Sequence, residues 1–253
     1  MKKLVIVADD FGTLPSINSG ISFLYKNIPT LEISMVTKAK YSKEAATMVK
    51  EQSIQNIGIH MELLGLEDLG RPVTAKDYIK LFKEKTYEEI EKIASEELKA
   101  FETTIGKPPT HITSHKGIHG NFKLLNFIIA YAKEKNIPIR KPVTALNVEL
   151  GNQNYAAEIS LSRAKLKSTN YLFAHMLGNN LDKIKNAFIT DLEKVNEGET
   201  AEIVIHPAFF DERLLNYSSL NYLRTRDIDL FTDQNFIDQI KKMGFKFCTY
   251  KQI

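Results

Sequence analysis

The sequence predicts an α/β fold, an irregular (β/α) barrel of about seven mostly parallel strands, in a single domain over residues 1–253. Three observations predict it. Short apolar runs alternate with helix-patterned segments along the whole chain, the order that lays helices against a parallel sheet. The length suits a closed or nearly closed barrel, for which roughly 250 residues is typical. The Gly-rich phosphate loop that usually follows the first strand of an open doubly wound sheet is missing.

Residues 4–7 form a continuous apolar run, read as a strand buried on both faces. Ala8-Asp9-Asp10-Phe11-Gly12 follows where that strand emerges, and a helix carrying Ile21, Leu24 and Tyr25 comes next. Residues 31–37 read as a second strand, 42–50 as a short helix, and 57–61 as a third strand ending at His60 and Met61, with Glu62 after it. Gly65, Gly70 and Pro72 break the rhythm of residues 63–85, a stretch longer than an ordinary connection and expected to be a lid or rim insertion. Thr86 and Glu89 are spaced as a capping box, ahead of an apolar stripe of Ile90, Ala94, Leu98 and Phe101 that Gly106 and Pro108 end.

Residues 110–113 read as a strand running into a histidine-bearing loop. Asn121 caps a helix that turns Leu124, Leu125, Ile128 and Ile129 inward. Residues 137–140 make another short strand, whereas 144–168 carry no clear pattern. Strands are expected at 171–175, 201–207 and 245–249, and helices at 181–195, 221–230 and 235–243.

Composition narrows the function classes. The hydrophobic share of 43% and charged share of 26% are those of a globular protein. A net charge of +3 with dispersed Lys and Arg does not favour nucleic acid as a partner. The one cysteine, Cys248, excludes an internal disulfide framework and fits a reducing compartment. The apolar run after Lys2-Lys3 is too short for a signal peptide, and no stretch approaches the ~20 apolar residues of a membrane span. A cytoplasmic protein with no membrane partner is expected.

The polar residues at strand ends carry the chemistry: Asp9 and Asp10, His60, His115 with His119, Arg140, His175 and His206. Five of the six histidines lie at or just after such an end, and His111, at a strand's beginning, reads as structural or surface. A barrel gathers its strand tips on one rim, where sites of this fold form. One carboxylate and two neutral imidazoles suit a catalytic divalent ion, with a position left open for water. Zinc, cobalt, nickel or manganese fits that donor set better than magnesium. Two adjacent aspartates can then divide the work, one binding the ion and the other taking a proton.

These residues resemble the YdjC-like (ChbG-type) carbohydrate deacetylases, relatives of the NodB-type polysaccharide deacetylases. The resemblance runs through Ala8-Asp9-Asp10-Phe11-Gly12, Asn18 with Gly20-Ile21, Gly58-Ile59-His60, Pro109-Thr110-His111-Ile112, Ser114-His115 with His119, Ile139-Arg140 and Ile205-His206-Pro207. Arg224 and Asp227, ahead of Leu230-Phe231-Thr232-Asp233, resemble the family's C-terminal Arg/Glu element with Asp in place of Glu.

The resemblance implies one divalent metal ion (Zn, Mg, Mn, Co or Ni) held by Asp10, His60 and His115. It makes Asp9 the general base and His206 the general acid, with His119 and Arg140 shaping the site as substrate-binding residues. It further implies a homodimer and hydrolysis of the N-acetyl group of an amino sugar, such as a small chito-oligosaccharide. The chain departs from the family at Val7, at Lys116-Gly117 and at Ala208. Another metal-dependent hydrolase of a small amide or ester, or a silent sugar-binding relative, is the alternative.

Overall fold

Seven strands form one sheet: β1 (Lys2–Phe11), β2 (Glu32–Met35), β3 (Ile57–Met61), β4 (Ile112–Ser114), β5 (Tyr171–Phe173), β6 (Thr200–Ile205) and β7 (Phe245–Phe247). These come from a computed structural model that describes residues 1–65, 72–142, 153–176, 178 and 180–253. The strand order is β4-β3-β2-β1-β6-β5, with β7 also on β1, and every pairing is parallel. On one edge of β1, β7 takes Lys2 to Leu4 and β2 takes Val7 to Phe11, while β6 runs along the other edge.

The sheet curls into a half-barrel. A thin seam at Ile139 runs between its two outer strands, β4 and β5. Ile139 bridges Ile112 of β4, and the Ile139 N–H donates to the Lys167 carbonyl (3.1 Å), just ahead of β5. The short strand expected at 137–140 is thus one bridge residue.

Around the sheet lie α1 (Pro15–Asn27), α2 (Ser42–Glu51), α3 (Ala75–Glu84), α4 (Tyr87–Ile105), α5 (Phe122–Lys135), α6 (Gln153–Arg163), α7 (Leu181–Glu193), α8 (Glu212–Tyr217), α9 (Leu223–Thr232) and α10 (Gln234–Lys242). The continuous apolar run of β1 has a physical reason. Leu4, Ile6 and Ala8 belong to the cluster shared with the helices, and Val5 and Val7 to a second one with Cys248 and Tyr250. Successive strand residues alternate faces, so the row of Val5 and Val7 continues to Asp9.

Thr86 caps α4 as expected: its Oγ1 accepts from the Glu89 N–H (3.2 Å), and Glu89 accepts from the Thr86 N–H (2.9 Å). The expected rim insertion contains a helix, α3, that sequence patterning missed. The Tyr78 hydroxyl of α3 donates to Glu62 Oε1 (3.0 Å), just past the end of β3. Positions 66–71 of that insertion, and 143–152 of the unpatterned stretch, lie outside the described residues. β5 and β7 stop at Phe173 and Phe247, short of the expected ends. Among the described residues no helix is long and apolar enough to cross a membrane.

Candidate active site

β1 does not stop at Val7 but runs to Phe11, so the two aspartates lie inside the strand rather than in a turn beyond it. Between Ala8 and Phe11 the β1–β2 register slips by one residue, a β-bulge. Asp10 sits there at φ 74°, a left-handed conformation that residues with a Cβ adopt at a cost. On a regular strand Asp9 and Asp10 would face opposite ways. The bulge lets both approach His60, whose Nδ1 is 3.6 Å from Asp9 Oδ1 and whose Nε2 is 3.4 Å from Asp10 Oδ1.

The tautomer of His60 follows from its neighbours. Thr113 Oγ1 donates to the Ile59 carbonyl (3.2 Å) and lies 2.8 Å from His60 Nδ1. A hydroxyl has one proton, so here it accepts from Nδ1–H. Nε2 is left as a buried lone pair with no hydrogen-bond partner among the described residues. It faces a carboxylate oxygen that has no proton to give.

His115 follows β4 on a short 3₁₀ turn, and its Nδ1 lies 3.4 Å from the same Asp10 Oδ1. Lys116 and Gly117, both at positive φ (51° and 68°), bend that turn sharply. The donor atoms of Asp10, His60 and His115 all fall within 4.8 Å of one another. A tetrahedral ion with bonds near 2.0–2.1 Å sets its ligand atoms roughly 3.3–3.4 Å apart. Both measured Asp10–imidazole distances match that spacing, so the residues fit a divalent cation. The other Asp10 oxygen, Oδ2, accepts from Arg224 Nη2 (2.6 Å), which leaves Oδ1 to face the imidazoles.

Asp9 is gripped from below. Arg140 Nη1 and Nη2 donate to its two oxygens (2.6 and 3.0 Å), and Arg140 Nε donates to Glu202 Oε1 (2.5 Å). His206, just past the end of β6, donates its backbone N–H to Asp227 Oδ2 (2.7 Å), while its ring Nδ1 is enclosed without a partner among the described residues. His206 packs in a tight crevice with Met176, Leu220, Leu223, Arg224, Arg226 and Asp227.

The chain matches the family described as YdjC-like protein over residues 3–242. It belongs to the YdjC-like family. A carbohydrate deacetylase of Clostridium beijerinckii is 27% identical, over 99% of this chain and 100% of that one. A chitooligosaccharide deacetylase of Yersinia enterocolitica is 26% identical, over 99% of each. A crystal structure from Enterococcus faecalis V583, of a protein provisionally assigned to cellobiose-phosphate cleavage, superposes with TM-score 0.78 at 23% identity. It covers 99% of this chain and 98% of its own, and shows the fold.

In this YdjC-like chain two expected site residues lie behind the rim. His119 is fully buried, with Nδ1 on Ser114 Oγ (2.6 Å) and Nε2 on the Arg140 carbonyl (3.1 Å). Arg140 is also buried, its guanidinium committed to Asp9 and Glu202. His175 is elsewhere: its Nε2 meets Asp191 Oδ2 (2.8 Å) and its ring packs edge-on against Phe188.

Charge follows the geometry. Burial alone would raise the Asp9 carboxyl, but Arg140 and the imidazoles outweigh it and hold it at about 2. Arg224 and His115 likewise overcome burial at Asp10 and hold it well below the carboxylate range. Burial pushes His60 and His206 down to about 4, so both rings are neutral at neutral pH. Glu62, near Tyr78, is pushed up to about 8 by burial and by Glu97.

Sequence reasoning missed the supporting role of Thr113 and Glu202. Glu202 carried a readable signal, a lone charge inside the apolar strand run Ala201-Glu202-Ile203-Val204.

Proposed function

We propose that this chain hydrolyses the N-acetyl group of an amino sugar, of chito-oligosaccharide type, with Asp10, His60 and His115 holding one divalent cation. The names of its relatives support the substrate class. One observation carries the cation: the unprotonated, partnerless Nε2 of buried His60 faces Asp10 Oδ1 at 3.4 Å with no donor between them. Two lone pairs so placed repel unless positive charge lies between. A bound cation of this kind supplies Lewis acidity to a carbonyl and lowers the pKa of water from 15.7 towards ~7.

The chain's own groups do the rest. Asp9, held ionised by the Arg140 fork, accepts the proton of the attacking water at a carboxylate oxygen. The same fork makes Asp9 a weak base, suited to a strongly acidified water. His206 delivers a proton to the departing amine. Because burial keeps its ring neutral at rest, that proton is taken up during turnover. Arg140 and His119, enclosed behind Asp9, orient the site rather than touch the sugar.

The test is acetate release from N-acetylglucosamine oligomers, compared with simple acetyl esters and amides, before and after chelation. Release should be selective for the sugars, vanish with chelator and return on adding zinc, cobalt, nickel, manganese or magnesium. Release that survives exhaustive chelation would exclude the cation. Preference for a non-sugar acyl compound would exclude the substrate class.

A further inference from the structure

The interior of the barrel holds a chain of buried polar groups that ends on Asp9. It starts at Tyr250, on the short 3₁₀ turn Tyr250–Gln252 after β7, beyond residues 3–242 of the family match. The Tyr250 side chain is fully buried, and its hydroxyl donates to Glu202 Oε2. Glu202, also fully buried, uses its other oxygen for Arg140 Nε, and the Arg140 fork closes on both oxygens of Asp9.

Tyr250 is itself held from two sides. Its backbone N–H donates to Glu32 Oε1 (2.7 Å), and its ring stacks on His111 with centroids 4.7 Å apart at 23°. The His111 ring is pinned in turn by Glu32 and Ser34. A Cβ on Gly58 would meet that ring at 2.5 Å, so the glycine leaves the room it occupies.

We propose that Tyr250 is a positioning residue for Asp9: its hydroxyl holds Glu202 so that Arg140 keeps both terminal nitrogens for the Asp9 carboxylate. Glu202 has two oxygens and Arg140 offers it one bond, through Nε. With Oε2 engaged by Tyr250, Glu202 cannot turn that oxygen onto a terminal nitrogen. Without the hydroxyl, Oε2 is a buried charged acceptor with no donor, and the nearest cation is Arg140. The guanidinium then shifts toward Glu202, and the grip on Asp9 falls from two bonds to one. Burial and the Glu202 charge keep Tyr250 protonated, hence always a donor.

This inference rests on the proposed role of Asp9 as base, and its test separates the two. Tyr250→Phe in the metal-loaded full chain keeps the ring and its stacking. Its kcat for acetate release should fall by about tenfold, the scale of one hydrogen bond to a charged group, with KM and bound metal unchanged. In the Asp9→Asn background the same change should cost nothing further, whereas a merely structural role would multiply the two losses. A crystal structure of Tyr250→Phe should show the Arg140–Asp9 fork reduced to one bond.

A variant with wild-type kcat, multiplicative losses, or an intact fork each overturns the proposal. If the wild-type chain releases no acetate, the deacetylase reading fails, and the crystal structure still decides the relay. Should Tyr250→Phe not fold, the double variant Glu202→Gln/Tyr250→Phe removes the competing charge: it should keep both bonds of the fork and the kcat of Glu202→Gln alone, and a further loss or a reduced fork there overturns the proposal.

Discussion

Two pairs of histidines with enclosed ring nitrogens share this barrel and differ in one respect. His111 and His119 have both ring nitrogens engaged: His111 by Glu32 and Ser34, His119 by Ser114 and the Arg140 carbonyl. His60 and His206 each leave one enclosed ring nitrogen without a partner among the described residues. Burying an unsatisfied polar group costs about 1–3 kcal/mol. The inner pair therefore reads as structure. At the rim the cost is relieved when a bound ion or a substrate supplies the missing partner. Three of the four side chains are buried and His206 is half-buried, so burial does not sort the pairs and satisfaction of the enclosed ring nitrogens does.

The largest expected effects fall on the rim. His60→Ala and Asp10→Asn should each lower acetate release on the order of 10³-fold or more, whereas His111→Asn should lower the melting temperature and leave the bound cation in place. An unchanged rate in His60→Ala would put that residue with the inner pair. His206→Ala should retain the cation and lose about 10²–10⁴-fold in kcat, the usual reach of general acid–base help. Metal analysis alongside steady-state kinetics checks both halves of that outcome.

The inner pair should respond in stability. Gly58→Ala places a methyl 2.5 Å from the His111 ring, and overpacking of this kind costs about 1–3 kcal/mol. Urea melts of the variant should show that loss. An unshifted midpoint would mean that both the His111 ring and its backbone carbonyl, also 2.5 Å from that Cβ, give way.

His119 gives the smallest effect and a pH signature. Burial and then Arg140 lower its pKa from 6.5 to about 3, so the unfolded chain takes up a proton that the folded chain refuses. Stability is then full above 6.5 and is lost as pH falls toward 3. Between pH 6.5 and about pH 5 this one residue should remove about 2 kcal/mol. His119→Gln should make that part of the profile shallower, with His60 and His206 supplying the rest of the slope. A variant with the wild-type acid slope would assign the loss to other groups.

Much of the fold was legible because apolar runs and caps are local signals. β1 announced itself by an apolar run that needs covering on both faces, and Thr86–Glu89 by capping spacing. The strand-end histidines drew attention to the rim. What stayed hidden depends on partners distant in sequence. The bulge that turns Asp10 exists only in the register against β2. Arg140 meets Asp9 across 131 positions and Arg224 meets Asp10 across 214, so neither pairing leaves a periodic trace. His119 shares its loop with His115, yet hydrogen bonds to Ser114 and Arg140 turn it inward. Helix α3 was masked by the glycines and proline just before it.

The most direct measurement is calorimetric titration of metal-stripped protein with zinc, for the wild-type chain and for His60→Ala. One ion should bind each wild-type chain, with heat that disappears in the variant while its fold, followed by circular dichroism, persists. Equal binding by both proteins would contradict the claim that the His60 lone pair and Asp10 share a cation.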